Sequence, residues 1–549
     1  MSMKEKVLNV LIFITTTLAM YALFAYMSET LHDSQVTQVS SQVPSRSIQW
    51  GDFNFLHTTD THGWLAGHRK RSYPELNGSG DWGDYASFVD RMRSTAENRG
   101  VELFVVDSGD LHDGSGLSDA YKRGDVNGHQ TNAIFAMLDI DVLTIGNHGL
   151  YDADVTLDIY KHFVPKWNKR YLTSNTFIKD PDADADVAEL IPIGEKYRKF
   201  TTALGNKVTA FGVMFDFPWP NWRAHVQPIE DMVKEPWFDE ATEEAPEFFL
   251  IAAHMAINDA KWSVLIDALK SKHPHTPVIS FGGHQHIRDC VFNYADERDV
   301  RMASGRFLET VGWMGVNITH DGQIEVGRRY LDATPQGYAW HLGIRQRDVL
   351  THQGKRIKKE ISKLWHRFNL GKRVGYIDRD LYQNRVPASH PDSLTRWMRD
   401  SVLPTISASD RDGVPKLVLM NSGAIRFDLY QGEVTKNDMY TAFPFKNTLP
   451  YVRDVPYPVA KGLLHTLNNL PGHPFAAYSA GGAVDSARST SPSVGYVTND
   501  TCPGIPDDTD HTPLPYYDQP PCFSTELEGL DDDALVDVVF LSLWVSTVS

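Results

Sequence analysis

Five short apolar runs in the first half of the chain each end in a polar motif, and this recurrence limits the fold more than any other feature. In chain order the motifs are Asp60-Thr61-His62, Gly109-Asp110, Gly146-Asn147-His148, His254 and Gly282-Gly283-His284-Gln285-His286. Runs of this length and composition are typical of buried β-strands, and helical patterns separate them. Because open α/β sheets bind ligands at the carboxyl ends of their strands, the pattern predicts an α/β domain with the motifs at one edge.

The residue types in these motifs are those of a metal site. On extended backbone, residues i and i+2 face the same side, so Asp60 and His62 can reach one cation. A glycine turn before Asp110 lets its carboxylate lie between two cations. Asn147 offers a neutral amide oxygen, and the adjacent His148 points elsewhere, which suits a general acid rather than a ligand.

Together the candidate ligands are two aspartates, one asparagine and four histidines: Asp60, His62, Asp110, Asn147, His254, His284 and His286. These mixed donors suit two divalent first-row ions such as Zn, Mn, Fe or Co, and the set lacks the thiolates of a structural zinc site. Two such ions about 3.5–4 Å apart clamp a phosphoryl group, lower the pKa of a bridging water and stabilise the leaving oxygen. The set therefore favours hydrolysis of a phosphate ester.

The motif order resembles that of the calcineurin-like metallophosphoesterase superfamily, and within it the 5′-nucleotidase family. A fungal-type subgroup of that family is resembled by the C-terminal layout of Tyr496-Val497-Thr498, Asp507-Asp508-Thr509, His511, Tyr516-Tyr517 and Pro520. The resemblance implies an α/β fold with a two-layer β-sandwich flanked by helices, followed by a smaller α+β substrate-binding domain. It also implies the ligand sets: one metal held by Asp60, His62 and His286, the other by Asn147, His254 and His284, with Asp110 bridging them. By the same resemblance, His148 would be the catalytic histidine.

The residues after His148 depart from the family pattern. Relatives carry an acidic residue directly after Gly-Asn-His and, in well-known members, an aspartate three positions after the histidine. Here the next residues are Gly149, Leu150 and Tyr151, and Asp152 comes one position late. We predict that Asp152 orients His148 as the second catalytic residue, since a poorly positioned acid lowers the rate.

The resemblance extends into the second half of the chain. The run from Asn421 to Arg426 resembles the family's Asn-x-Gly-x-Ile-Arg element, and Phe443-Pro444-Phe445 follows it. Carried over residue by residue, Asn421 and Arg426 would contact the substrate. Phe445 would stack on a nucleobase, an interaction worth about 1–3 kcal/mol.

The chain is predicted to have four parts. Residues 1–50 form a targeting segment and a polar stalk, 51–335 the metallophosphoesterase domain, 336–372 a linker helix, and 373–549 the C-terminal substrate-binding domain. The predicted strands of the first domain include Phe53–His57, Leu103–Asp107, Val142–Ile145, Val208–Phe215, Phe248–Ala253 and Val278–Phe281. The apolar stretch Leu535–Val545 is too short to span a membrane and is predicted to be a packed C-terminal helix.

The N-terminus indicates a secretory route. Lys4 and Lys6 precede the apolar run Val7–Met27, whose length is close to the roughly 20 residues that span a bilayer. A signal-anchor is therefore favoured over a cleaved signal peptide, with one membrane span at most. We expect the protein to be located outside the cell, at the cell surface or in the vacuolar lumen. Three Asn-x-Ser/Thr sequons agree with a glycoprotein: Asn77, Asn317 and Asn499.

Charge and cysteine usage limit the partners and the compartment. The net charge of −17 disfavours a nucleic acid polymer, because phosphate backbones need Lys and Arg for neutralisation. A small phosphorylated substrate is compatible with it, since bound metals supply local positive charge. Cys502 and Cys522 could pair in an oxidising compartment, which would leave Cys290 over.

The favoured function is metal-dependent hydrolysis of 5′-nucleotides to nucleoside and phosphate, and two alternatives stay open. One is another phosphoesterase, acting on 2′,3′-cyclic nucleotides, nucleotide sugars or general phosphate esters. It is kept because no aromatic residue precedes Pro506-Asp507-Asp508-Thr509 as the second wall of a base slot, unless Tyr516 and Tyr517 replace it. The other is a catalytically weak, membrane-tethered binding protein, which Gly149 and the displaced Asp152 favour.

Overall fold

A computed structural model describes residues 43–70, 75–183, 188–293, 296–406, 411, 413–446, 448–469, 498–510 and 516–541. The predicted signal-anchor Val7–Met27 lies outside these residues. Within the described part of the chain, no helix combines the length and the apolar character that crossing a membrane requires.

Two six-stranded sheets form the centre of the first domain. Its strands are β1 Phe53–Thr58, β2 Glu102–Asp107, β3 Val142–Thr144, β4 Tyr171–Leu172, β5 Thr176–Lys179, β6 Leu190–Pro192, β7 Tyr197–Thr201, β8 Lys207–Met214, β9 Ala224–Val226, β10 Phe248–His254, β11 Val278–Gly282, β12 Arg288–Phe292, β13 Asp299–Ser304, β14 Thr310–Ile318 and β15 Ile324–Asp332. One sheet has the order β15-β14-β1-β2-β3-β4 and the other β12-β13-β11-β10-β8-β7. Strands β1 to β4 are parallel, as are β8, β10, β11 and β13. The predicted β-sandwich and its six strands are thereby confirmed.

Helices cover both outer faces of the sandwich. They are α1 Trp82–Arg99, α2 Gly116–Asp119, α3 His129–Phe135, α4 Ala153–Asp158, α5 Ile229–Met232, α6 Pro236–Ala241, α7 Lys261–Lys272, α8 Pro335–Leu342 and α9 His352–Arg367. Single 3₁₀ or π turns occupy Glu75–Gly78, Asn147–Leu150, Ile159–Phe163, Val164–Trp167 and Gln346–Asp348. Helix α9 lies in the predicted linker and packs on α1, where Lys358 bonds Asp84.

The sequence builds three apolar layers. Between the sheets, Phe55 lies 5.3–5.9 Å from the rings of Phe104, Phe248 and Phe281. The outer face of the first sheet buries the apolar sides of α1, α8 and α9, and the outer face of the second buries Trp262 of α7. With both faces of each sheet covered, the polar residues after β1, β2, β3, β10 and β11 are left at a sheet edge.

The C-terminal domain is a smaller α+β unit. Its elements are β16 Arg373–Ile377, β17 Lys416–Asn421, β18 Gly432–Thr435, β19 Tyr451–Pro456, β20 Cys522–Ser524 and β21 Leu535–Phe540, with α10 Leu394–Trp397, α11 Lys436–Ala442 and α12 Tyr457–Asn468. Short turns occupy Met398–Val402, Leu403–Thr405 and Ser422–Ala424. The main sheet has the order β19-β21-β17-β20, and β16 pairs with β18. The helix predicted from Leu535 is wrong, because Leu535–Phe540 is a strand between β17 and β19 that buries Val536, Val538 and Val539.

Residues 498–510, here called the strap, pack on the first domain although they lie in the predicted C-terminal domain. Tyr330 donates a backbone hydrogen bond to Pro506, and Asp508 donates one back to Tyr330. Cys502 forms a disulfide with Cys290 of β12, with Cα atoms 5.7 Å apart. The suggested pairing of Cys502 with Cys522 is therefore wrong. Cys522 is a free, buried cysteine in β20, on the sheet of the C-terminal domain.

Part of the predicted polar stalk is also packed. The backbone N–H groups of Ser45 and Arg46 donate to the carbonyl of Asp508 in the strap, and the ring of Trp50 lies 4.8 Å from that of Trp313. Residues 43–50 therefore belong to the folded first domain rather than to a flexible stalk. The polar composition of the segment concealed Ile48 and Trp50, which carry its apolar contacts.

Candidate metal centre

The polar motifs of the first domain meet where five parallel strands end. Strand β1 leads into Asp60 and His62, β2 into Asp110, β3 into Asn147, β10 ends at His254, and β11 leads into His284 and His286. The two histidines after β11 are partly buried and the other five side chains are buried. The fold thus brings together all seven side chains singled out as candidate ligands.

The backbone at these motifs is held in the left-handed region. The φ angles of Asp60, His62, Asp110, His284 and His286 are 49°, 45°, 58°, 76° and 61°. Residues other than glycine rarely adopt this conformation, because it costs about 1–3 kcal/mol per residue. Such backbone strain concentrates at functional sites. Five strained residues in one place indicate that the backbone conformation here positions side chains for function at a cost in stability.

A glycine makes room for these turns after β11. A Cβ atom on Gly283 would lie 2.9 Å from Oδ2 of Asp60 and would collide with the hydroxyl of Thr59. Gly283 is therefore required by the close approach of the loop after β1, while a Cβ atom on Gly282 would instead meet the carbonyl oxygen of Met255 at 2.7 Å.

The first cluster is Asp60, His62 and His286. Nε2 of His286 lies 3.0 Å from Nε2 of His62 and 3.3 Å from Oδ1 of Asp60. Nδ1 of His62 donates to the carbonyl of His112 at 2.6 Å, which leaves the lone pair on Nε2 facing the cluster. Burial, and then the nearby Arg426, lower the pKa of both histidines well below the usual value, so both rings are neutral.

The second cluster is Asp110, Asn147, His254 and His284. Nε2 of His254 lies 3.0 Å from Oδ1 of Asn147 and 3.1 Å from Oδ2 of Asp110. Nδ1 of His254 donates to the carbonyl of Ser108 at 2.7 Å. Burial lowers the pKa of His254, but the carboxylate of Asp110 outweighs this and raises it to about 9. Burial and His254 lower the pKa of His284 to about 3.

Divalent cations fit the chemistry of these donors. In the first cluster two neutral imidazole nitrogens and a carboxylate oxygen converge, and the Nδ1–H bond of His62 leaves the lone pair on its Nε2 directed inward. In the second, a carboxylate oxygen and an amide oxygen face Nε2 of His254, whose Nδ1 already holds a proton. A proton or a cation must lie between atoms packed this closely: the pKa of about 9 places a proton on Nε2 of His254 when no cation is bound, and nitrogen with oxygen donors suits a first-row divalent ion in its place.

The partner of His148 is Asp113, which corrects the prediction for Asp152. Nδ1 of His148 lies 2.8 Å from Oδ2 of Asp113, a residue of the loop after β2. Asp152 instead caps helix α4, where its carboxylate accepts from the backbone N–H groups of Asp154 and Val155 at 2.7 and 3.2 Å. As an N-cap, Asp152 directs its carboxylate towards the first turn of its own helix and not towards His148. Its position one residue later than the family's aspartate is consistent with this different role.

Two residues of the site were missed in the sequence. Asp113 follows Gly109-Asp110 by three positions, and the polar pair His112-Asp113 after that motif was the available signal. Tyr151 was noted only as a departure from the family pattern. Its hydroxyl accepts a hydrogen bond of 3.0 Å from Nδ2 of Asn147, which turns Oδ1 of Asn147 towards His254.

The C-terminal domain contributes two of its three predicted residues to the site. Nη2 of Arg426 lies 3.1 Å from Nε2 of His62, and its guanidinium lies 5.8 Å from the ring of Phe445. The Phe445 ring lies 6.2 Å from that of His148 at an interplanar angle of 17°. Asn421 is buried: its Oδ1 accepts from the N–H of Ala424 at 2.9 Å, its Nδ2 has no hydrogen-bond partner among the described residues, and its contact with substrate stays a prediction.

The turn Pro506–Thr509 belongs to the strap, where Asp507 pairs with Arg288 of the first domain. It therefore serves the contact between the domains rather than a base slot. Of the two tyrosines predicted to replace the missing wall, Tyr516 is partly buried, while 41% of Tyr517 is exposed and its backbone N–H donates to the carbonyl of Asn384.

Family models match the two halves of the chain separately. Residues 53–288 match the calcineurin-like phosphoesterases, and residues 380–548 match the NAD nucleotidase C-terminal domain. A secreted protein of Arthroderma benhamiae is 37% identical, over 78% of this chain and 69% of its own length. An uncharacterised protein of Schizosaccharomyces pombe is 33% identical, over 92% of this chain and 85% of its own length.

Solved structures agree with these matches. The 5′-nucleotidase of Candida albicans superposes with a TM-score of 0.83 at 32% identity, covering 92% of both chains. The 5′-nucleotidase precursor of Thermus thermophilus, at 16% identity and a TM-score of 0.60 over 90% of both chains, shares the fold. Fold and site together define a metallophosphoesterase, and so a hydrolase. The chain belongs to the 5′-nucleotidase family of the calcineurin-like phosphoesterases, as its motif order predicted.

Proposed function

We propose that this chain hydrolyses 5′-nucleotides to nucleoside and phosphate at a centre that holds two divalent cations. The observation that carries the proposal is the convergence of Arg426 and Phe445, from the C-terminal domain, on the two ligand clusters. A guanidinium beside the clusters offers charge to a phosphate, and the aromatic face next to it offers a surface to a nucleobase.

Each cluster is assigned one cation. Asp60, His62 and His286 would hold the first, Asn147, His254 and His284 the second, and Asp110 would contact both. When bound, such a pair of cations supplies Lewis-acid polarisation of the phosphoryl group and an activated water. Zn, Mn, Fe and Co all suit the donor set.

His148 is assigned the stabilisation of charge on the substrate. Its Nε2 is buried, has no hydrogen-bond partner among the described residues and lies 3.9 Å from Oδ2 of Asp110. A proton held at this atom can be donated to an oxygen of the phosphoryl group or to the leaving oxygen. Preorganised donors of this kind stabilise the charge that develops in the transition state.

A second candidate is another phosphoesterase, acting on a dinucleotide or a nucleotide sugar. The match of residues 380–548 to the NAD nucleotidase C-terminal domain favours keeping it. So does the strap, because the turn expected to carry the second wall of a base slot packs on the first domain instead.

The test is a panel of substrates with the purified chain and added Mn, Zn or Co. It compares AMP, NAD, a UDP-sugar, 2′,3′-cyclic AMP and p-nitrophenyl phosphate. We expect kcat/KM to be highest for AMP, and Phe445→Ala to lower it about 10- to 100-fold for AMP while sparing p-nitrophenyl phosphate, since stacking is worth about 1–3 kcal/mol. If AMP reacts no faster than p-nitrophenyl phosphate, the nucleotidase proposal fails. Faster turnover of NAD or the UDP-sugar would establish the second candidate.

We also propose a secretory location. A disulfide joins Cys290 and Cys502, disulfides persist in oxidising compartments, and the Arthroderma benhamiae relative is named a secreted protein. Val7–Met27 is proposed as the signal-anchor. Of the three sequons, Asn77 is buried, which leaves Asn317 and Asn499 as the more accessible glycan sites.

A further inference from the structure

The carboxylate of Asp113 contacts His148, although the family spacing predicts that the aspartate follows the histidine in the chain. Its Oδ2 accepts from Nδ1 of His148 at 2.8 Å, and the two side chains are 13% and 2% exposed. Its Oδ1 accepts from Nδ2 of Asn127. Both oxygens of one carboxylate are therefore occupied, so its orientation is fixed by contacts on both sides.

The loop that carries Asp113 is itself held in place. Asp113 has a φ angle of 67°, a strained conformation that the surroundings must maintain. The buried carboxylate of Asp119 accepts from the backbone N–H groups of Gly114 and Ser115, each at 2.9 Å. His112, one residue earlier, accepts the Nδ1 proton of His62 at its carbonyl, so the same loop serves a candidate ligand and His148.

The segment after His148 explains why the acid comes from another loop. A Cβ atom on Gly149 would lie 2.9 Å from Cδ1 of Ile159 and 3.0 Å from Cγ1 of Ile145, so a side chain there would have to displace both isoleucines. Tyr151 orients Asn147, and Asp152 caps α4. Gly149, Tyr151 and Asp152 therefore present no carboxylate to Nδ1 of His148, and Asp113 does.

We infer that Asp113 is the positioning residue of His148: it keeps the proton on Nδ1 and turns Nε2 towards the substrate. This inference rests on the proposed function for its chemical meaning. The ring of His148 lies 4.8 Å from that of His62 and 5.2 Å from that of Tyr151, both nearly perpendicular, so packing limits tilt while Asp113 selects the tautomer. A carboxylate in this place also stabilises the ring when Nε2 holds a proton for the leaving oxygen.

The test compares Asp113→Asn with Asp152→Asn on two esters. A nucleoside or alkyl phosphate has a poor leaving group that needs a proton, whereas p-nitrophenyl phosphate does not. We expect Asp113→Asn to lower kcat on the poor leaving group about 10- to 100-fold, with less effect on p-nitrophenyl phosphate, little change in KM and unchanged metal content. Asp152→Asn, in which asparagine still caps α4, should behave as wild type.

A double-mutant cycle decides whether Asp113 acts through His148. Asp113→Asn should have no further effect in a His148→Ala background if the two residues act as one unit. Independent of activity, a downfield proton NMR signal from Nδ1–H of His148 should be present in wild type. It should be absent in Asp113→Asn and in His148→Ala. Equal losses on both esters, additive effects in the cycle or an unchanged proton signal would each overturn the inference. Failure of the wild type to hydrolyse any ester would instead reject the proposed function, while the proton signal would still report on Asp113.

Discussion

Asp110 joins the two ligand clusters through a single carboxylate. Its Oδ1 accepts from the backbone N–H of His148 at 3.0 Å, and its Oδ2 lies 3.1 Å from Nε2 of His254 and 3.8 Å from Nε2 of His62. Although burial raises it, the neighbouring His254 and His148 hold the pKa of Asp110 well below its usual value, so the group is ionised. A charge in this position would face both of the proposed cations.

Asp110→Asn should therefore weaken the binding of both proposed cations. Asparagine keeps the size of the side chain and the bond from His148 but removes the negative charge. We expect bound metal, measured by elemental analysis, to fall from two ions per chain to one or none. Activity should fall at least about 100-fold, since the cations supply several kcal/mol of transition-state stabilisation. Asp113→Asn serves as the control that keeps both ions, and two ions in Asp110→Asn would refute the bridging role.

At the residue scale, the sequence identifies the candidate ligands that the fold brings together, but not the residues that support them. The seven candidate ligands could be named because each follows a strand, and strand ends share an edge. Asp113 could not, because its bond to His148 joins two loops 35 positions apart. Asp152 was misread because the same residue type serves as a helix cap, a role that short-range spacing does not distinguish from that of a catalytic acid.

Among the elements, the strap has the most unusual electrostatics. Arg288 and Asp507 form an ion pair in which the side chains are 0% and 1% exposed. Removing one partner of a buried pair leaves the other charge without compensation, at a cost of about 3–5 kcal/mol. Asp507→Asn should lower the free energy of unfolding by this amount, measured from the urea midpoint. Asp510→Asn is the control, because Asp510 pairs with Arg46 at the surface and exposed pairs contribute about 0–1 kcal/mol. Equal midpoint shifts in the two variants would contradict the assignment.

The contact between β12 and the strap is expected to make stability depend on pH. Burial raises the pKa of Asp289, which neighbours Asn499 of the strap, from 3.8 to about 7. The folded chain then keeps a proton that the unfolded chain loses, so this group's contribution to stability falls as the pH rises from about 4 to 7. Asp289→Asn should flatten the unfolding free energy over this range, with urea midpoints compared at pH 5 and pH 8. The exposed Asp52→Asn should retain the wild-type slope, and a retained slope in Asp289→Asn would disprove the prediction.

Helices and strands could be predicted from the sequence where the hydrophobic periodicity and the length of a segment indicate the same element. The six strands of the first domain were found because each is a short apolar run bounded by turn residues. The helix predicted over Leu535–Val545 is wrong for its described part, since a short apolar run carries no period that separates a buried strand from a buried helix. Its strand state is decided by pairing with β17 and β19, which are far away in the sequence.

At the scale of the whole molecule, an aromatic cluster and the strap are among the contacts that hold the C-terminal domain over the metal centre. In the aromatic cluster, Trp64 and Phe307 of the first domain pack on Phe427 and Tyr430, all at most 4% exposed. The rings of Trp64 and Phe427 lie 4.8 Å apart. Arg426 precedes Phe427, so this cluster also determines where Arg426 reaches His62. The second contact is the strap, which returns to the first domain after the helices of the C-terminal domain.

The Cys290–Cys502 disulfide is expected to stabilise this arrangement and to support the metal centre. It joins residues 212 positions apart, and a link that closes so long a loop contributes about 2–4 kcal/mol by restricting the unfolded chain. Cys290 lies in β12, which starts two residues after His286, so the link also holds the strand that follows this candidate ligand. We expect Cys502→Ser to unfold at lower denaturant and to lose metal at lower chelator concentration than wild type, and reductant should have no further effect on it. Cys522→Ser, which removes the buried free thiol, should keep the reductant sensitivity of wild type. If reductant leaves wild type unchanged while Cys502→Ser is destabilised, the effect comes from the side chain and not from the covalent link.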